Sequence, residues 1–122
     1  MRVTKIISIN AKTNKLVYET ENEIITKQNE RVYYAELKSN NMIILFGINN
    51  LIEVADTDKL IKQTLIESGF LQVNSNFLIN TNFIKRIMIQ EEKVELLNNI
   101  LIPFSSEFKM NIENFLNSIT IN

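Results

Sequence analysis

Gly69-Phe70-Leu71-Gln72-Val73-Asn74-Ser75-Asn76-Phe77-Leu78-Ile79-Asn80-Thr81-Asn82-Phe83-Ile84-Lys85-Arg86-Ile87 alternates short runs of large apolar residues with clusters of Asn, Ser and Thr. Short apolar runs rich in Phe, Val and Ile suit a pleated, half-buried surface. Residues 70–74 and 83–90 therefore read as strands. Asn74-Ser75-Asn76 reads as a turn, because Asn and Ser side chains hydrogen-bond to nearby backbone and compete with regular structure. Gly69 sits where the C-terminal cap of a preceding helix belongs.

Working upstream, Asp56-Thr57-Asp58 supplies capping oxygens and negative charge for that helix, and Leu60, Ile61, Thr64 and Leu65 fall on one of its faces. The pattern predicts a helix over residues 57–68. Residues 42–48 and 51–55 read as a hairpin closed by Asn49-Asn50, since Asn tolerates the positive φ of tight turns. Val32, Tyr33 and Tyr34 mark residues 31–37 as a strong strand, and residues 16–21 and 23–27 are two more. At the start, Val3, Ile7 and Ile9 share one face of a strand, with Lys5 the exception, while Arg2, Thr4 and Ser8 take the other. Residues 10–14 then form a turn. Downstream, residues 93–97 and 100–102 pair through Asn98-Asn99. A second helix is expected over 105–118, just after Pro103, with Phe108, Ile112, Phe115, Leu116 and Ile119 as its apolar stripe. Ser105 or Ser106 is its natural cap. The sum is one mostly β domain over residues 1–122, with 1–15 as an additional N-terminal strand and turn.

The chain has 122 residues, 45% of them hydrophobic and 22% charged, which is ordinary globular composition. It contains no Cys, so disulfides, thiolate zinc sites and cysteine nucleophiles are excluded. It also has no His, the commonest general base and metal ligand. The paired carboxylates Glu91-Glu92 sit in a hairpin turn without a catalytic partner and read as solvated acids. Two glycines, Gly47 and Gly69, cannot build a phosphate loop, and no Asp-x-Asp-x-Asp spacing offers a cation cage. The expectation is a protein that is not an enzyme and has no cofactor, metal or small-molecule substrate. No apolar run is long enough to span a membrane, and no secretory signal opens the chain, so a cytoplasmic location is expected.

Four segments together resemble the LytTR-type DNA-binding domain family. The quoted stretch is similar to the family's paired apolar residues, small polar motif, Leu-Val-Asn and Ile-Lys-x-Ile. Residues 93–108, with Ile102-Pro103-Phe104-Ser105-Ser106, look like its terminal hairpin and Ile-Pro-Val-Ser close. Val32-Tyr33-Tyr34-Ala35-Glu36 is similar to its Ile-x-Tyr-Ile-Glu strand, and residues 59–65 to its Leu-x-x-Leu-x-x-x-Leu helix. Order and spacing agree over about residues 16–116. The resemblance implies an elongated stack of small antiparallel sheets with one or two short helices. It also implies a transcription regulator whose loops, rather than a recognition helix, enter successive grooves of double-stranded DNA.

By this resemblance the contact positions are Lys38, Asn40 and Asn41 in one loop, Asn74, Ser75 and Asn76 in a second, and Ser106 and Lys109 in a third. These positions depart from the family pattern. Gln72 stands in a basic slot, Asn74 in the His slot, Ser75 after it, and Ser106 in the slot of a closing Arg. Asn and Ser can still bond phosphates or base edges, and Asn can read adenine, but each lost cation removes its share of counterion release. Net charge is −1, and residues 70–110 carry four basic and four acidic side chains. Lys85 and Arg86, adjacent on a strand, are expected to point to opposite faces. Two functions follow as expectations. The first is a regulator that binds DNA as a homodimer, with its input signal supplied from outside these residues. The second is a dimerisation or protein-interaction module on the same fold that has lost DNA binding.

Overall fold

The structure is a computed structural model and describes residues 2–120. Among these residues twelve strands form three sheets, joined by two short helices. The central sheet has six strands: β1 (Arg2–Val3), β5 (Val32–Leu37), β6 (Asn41–Phe46), β7 (Asn50–Ala55), β8 (Phe70–Asn74) and β9 (Phe77–Asn80), in the order β1-β7-β6-β5-β9-β8. All its pairings are antiparallel except β1 with β7. A second sheet joins β2 (Lys5–Asn10), β3 (Lys15–Glu19) and β4 (Ile24–Lys27); a third joins β10 (Ile84–Met88), β11 (Lys93–Leu96) and β12 (Leu101–Pro103). Helix α1 spans Leu60–Glu67 and α2 spans Lys109–Ser118.

The central sheet is covered on both faces, which explains its many consecutive apolar residues. Val32, Ala35, Ile44 and Leu78 pack with Ile9, Leu16 and Tyr18 of the second sheet and Leu65 of α1. Tyr33, Leu45, Val73 and Ile79 pack with Val94, Leu96 and Ile102 of the third sheet and Ile112 of α2. Each core alone is small. Sharing one sheet lets both exclude water.

The mostly β reading with two short helices stands, and several local expectations are corrected. The expectations assign no element to the run that forms strand β9, which lies between β5 and β8. The strand expected over 83–90 begins with a 3₁₀ turn, Thr81–Phe83, and spans only Ile84–Met88. The first helix is shorter than 57–68, because residues 56–59 form a turn ahead of it. The second begins as a 3₁₀ turn at Ser106–Phe108, and Ser105 makes no side-chain capping bond. In the β6–β7 hairpin the positive φ lies at Gly47, at 65°, not at Asn49 or Asn50. Leu60 and Ile119, assigned to apolar stripes, are exposed.

Two corrections share one cause, the β-bulge. A register shift between Ile6 and Ser8 turns Ile7 outward and brings Ile6 against the core, so odd positions do not hold one face along β2. A second shift between Ile84 and Arg86 lets both Lys85 and Arg86 reach Glu95. Lys85 Nζ lies 3.8 Å from Glu95 Oε2 and Arg86 Nε 2.5 Å from Oε1. Two cations therefore share one nearly buried carboxylate instead of serving opposite faces.

Candidate nucleic-acid interface

The β5–β6 hairpin ends in Lys38-Ser39-Asn40, closed by Lys38 N–H donating to the Asn41 carbonyl at 2.9 Å. Its neighbour across the sheet is the β8–β9 hairpin, ending in Ser75-Asn76. The Leu37 N–H donates to the Asn76 carbonyl at 2.6 Å and ties the two tips together. On the far side of β8, Ser105 N–H donates to the Val73 carbonyl at 3.0 Å, and Asn74 Nδ2 donates to the Pro103 carbonyl at 2.7 Å. The third loop, carrying Ser106 and Lys109, is thus seated beside the second. On the other flank, Asp56 N–H donates to the Asn40 carbonyl at 2.8 Å and brings the turn before α1 alongside the first loop. Four segments meet along one rim of the central sheet. Strand spacing makes the row from β7 to β8 roughly 19 Å long.

The candidate side chains divide by what already holds them. Asn74 is engaged at both ends of its amide, because its Oδ1 accepts the Asn76 N–H at 2.7 Å while Nδ2 binds Pro103. Asn41 Nδ2 donates to Glu53 Oε2. Lys38 Nζ pairs with Glu36 Oε2 at 3.0 Å, with both side chains substantially exposed, so this pair exchanges readily for another anion. Among the described residues Asn40, Ser75, Asn76, Ser106 and Lys109 are exposed and their side chains make no internal hydrogen bond. Gln72, in the basic slot, is turned inward: Nε2 donates to the Asn74 carbonyl at 3.1 Å.

Two cations of the rim were not singled out from sequence. Lys59 and Lys62 line the same recess as Lys38, Ser39, Asn41 and Ser75. Sequence offers no signal for the pair, because Lys59 lies in the turn ahead of the helix and the fold, not helical spacing, brings it beside Lys62. Behind the rim, Tyr34 stacks edge-on to Phe77 with ring centroids 5.3 Å apart. Burial first, and the Glu36 carboxylate second, push the Tyr34 phenol above its ordinary value.

The rim has hydrogen-bond donors and acceptors, scattered ammonium groups and no nucleophile–base pair. Among the described residues no cluster of acidic side chains could hold a metal ion, and no helix is long and apolar enough to cross a membrane. Such a surface offers hydrogen-bond donors and ammonium groups to a polar, anionic partner. No curated protein matches the chain. The family model described as the LytTr DNA-binding domain matches residues 22–117, from just before β4 to the last turn of α2, and takes in all four rim segments. The chain therefore belongs to the LytTr DNA-binding domain family.

Proposed function

We propose that this chain is a transcriptional regulator that binds double-stranded DNA as a homodimer through the rim. The observation that carries the reading is the convergence of the loops at 38–41, 74–76 and 105–109 on one edge, with Asn40, Ser75, Asn76, Ser106 and Lys109 uncommitted there. In this reading Lys38 and Lys109 contact phosphates. Asn40 and Asn76 reach base edges, and Asn74 positions the loops by its bonds to Pro103 and Asn76.

The test is fluorescence anisotropy on a labelled pool of duplexes over 20–200 mM salt. The loop contacts Lys38 and Lys109 alone contribute about −1.8 per protomer to the slope of log K against log salt, so the measured slope is at least that steep. A chain that retains no duplex at the lowest salt contradicts the proposal.

A second reading, a protein-interaction module, is favoured by one feature. A groove of about 650 Å³ runs between β10 and the end of α2, floored by Ile84, Ile87 and Leu116, with Ile89 and Ile119 exposed at its margin. Exposed apolar grooves rimmed by polar residues mark partner sites. Both readings allow self-association, so the second is tested by sedimentation and duplex binding together: it predicts association that Ile119→Asp abolishes in a chain that retains no duplex.

A further inference from the structure

The turn before α1 holds a lysine in a conformation that lysine rarely adopts. Lys59 has φ 62° and ψ 21°, the left-handed region, which disfavours any side chain with a Cβ. Its ammonium reaches across to the first loop, where Nζ donates to the Ser39 carbonyl at 2.6 Å. One of three N–H donors is used in that bond and two remain. Lys62, one turn of helix further on, lines the same recess and has no ion-pair or hydrogen-bond partner for its ammonium among the described residues.

The recess is about 220 Å³ and lies between the first loop and α1. Lys38, Lys59 and Lys62 supply three positive charges to it. Four carboxylates stand nearby: Asp56, Asp58, Glu36 and, bonded to Asn41 of the recess, Glu53. Asp56 is buried beneath, with Oδ1 accepting Ile61 N–H at 2.9 Å and Oδ2 accepting Lys62 N–H at 3.0 Å, and Glu36 sits at the edge against Lys38. Both Asp56 oxygens are turned to the helix backbone, and Asp58 Oδ1 accepts Leu60 N–H at 3.2 Å. The first amides of the helix are thus already bonded, so attraction for an anion comes through the ammonium groups and not through the helix end.

We infer that Lys59 and Lys62 form a phosphate-gripping pair on the flank of the rim, a fourth contact segment for the DNA backbone beyond the three loops. The inference rests on the reading of the rim as a DNA surface. It gives the chain, at a new place, cations of the kind that the slots at Gln72, Asn74 and Ser106 lack. The backbone constraint at Lys59 fits this role, because strained residues persist where the surrounding structure holds a functional group in place.

The experiment compares salt slopes for duplex binding by the unsubstituted chain, the double variant Lys59→Asn with Lys62→Gln, the charge-keeping double variant Lys59→Arg with Lys62→Arg, and a Lys12→Gln control. Lys12 lies in the β2–β3 turn, by the Ala11 carbonyl that Asn82 binds beyond the far end of β9. Asn accepts the left-handed backbone more readily than Lys, so Lys59→Asn removes charge without adding strain. Thermal melting within a few degrees of the unsubstituted chain establishes that each variant folds. Four phosphate contacts predict a slope of about −3.6 per protomer, falling to about −1.8 in the Asn/Gln variant and kept in the Arg variant and the control. If the unsubstituted chain binds and the Asn/Gln variant keeps its slope, the lysine pair is refuted while the DNA reading survives. If the unsubstituted chain binds no duplex, both fall together.

Discussion

Asp56 is 4% exposed, and its two carboxylate oxygens accept the N–H groups of Ile61 and Lys62. Removing such a cap by Asp56→Ala is expected to cost about 1–2 kcal/mol, measured by urea unfolding, with Asp56→Asn losing less because it keeps one acceptor. For Asn74 the opposite case is predicted, a small effect on stability and a large one on binding. Its amide holds the second and third loops in one row, so Asn74→Ala is predicted to weaken duplex binding several-fold while the unfolding midpoint barely moves. Tyr18 and Tyr34 bear on stability at alkaline pH. Burial chiefly, with Glu36 for Tyr34 and Glu23 for Tyr18, raises both phenols above their ordinary value. A group whose folded pKa is raised stabilises the fold below its unfolded pKa, near 10, and that contribution is lost as pH rises through the folded value. Absorbance titration at 295 nm should therefore show these two phenols ionising late, and stability should decline above pH ~10.

At the scale of elements, hairpins, helices and strand content were legible because each rests on local chemistry. Asn99, in the β11–β12 turn, has φ 68°, as the Asn-Asn reading requires. The acids before α1 do bond its first amides. What escaped was register. A bulge is one extra residue in one strand, set by packing against a partner far along the chain, and period-two patterning contains no sign of it. Hence Ile7 and the Lys85-Arg86 pair were placed on the wrong faces. Strand β9 was missed because Phe77-Leu78-Ile79-Asn80 is short and flanked by turn formers, and it is a strand through pairing with both β5 and β8. Gly47 tests the hairpin account directly. A Cβ there would stand 2.8 Å from Glu30 Oε2 and 2.9 Å from Asn50 Nδ2, at a φ of 65°. Gly47→Ala is expected to destabilise the chain by about 1–2 kcal/mol, whereas Asn49→Ala should be nearly silent.

For the whole molecule, the physical design is a sheet buried on both faces with its loops gathered at one rim. Layers on either face, α1 with the second sheet and α2 with the third, pack against the sheet that carries the row of loops. The candidate loops were legible as polar turns, but their adjacency was not, since it depends on the strand order β6-β5-β9-β8. Nor was the flank with Lys59 and Lys62, which the β7–α1 turn brings against the first loop. Net charge of −1 is compatible with such a surface because opposite charge elsewhere enters the same total. The central claim is that this rim is where DNA sits. Amide NMR spectra of the chain titrated with a short duplex test it most directly. The account predicts shifts confined to residues 38–41, 56–62, 74–76 and 103–109. Shifts centred on the groove between β10 and α2, or none at all, would contradict it.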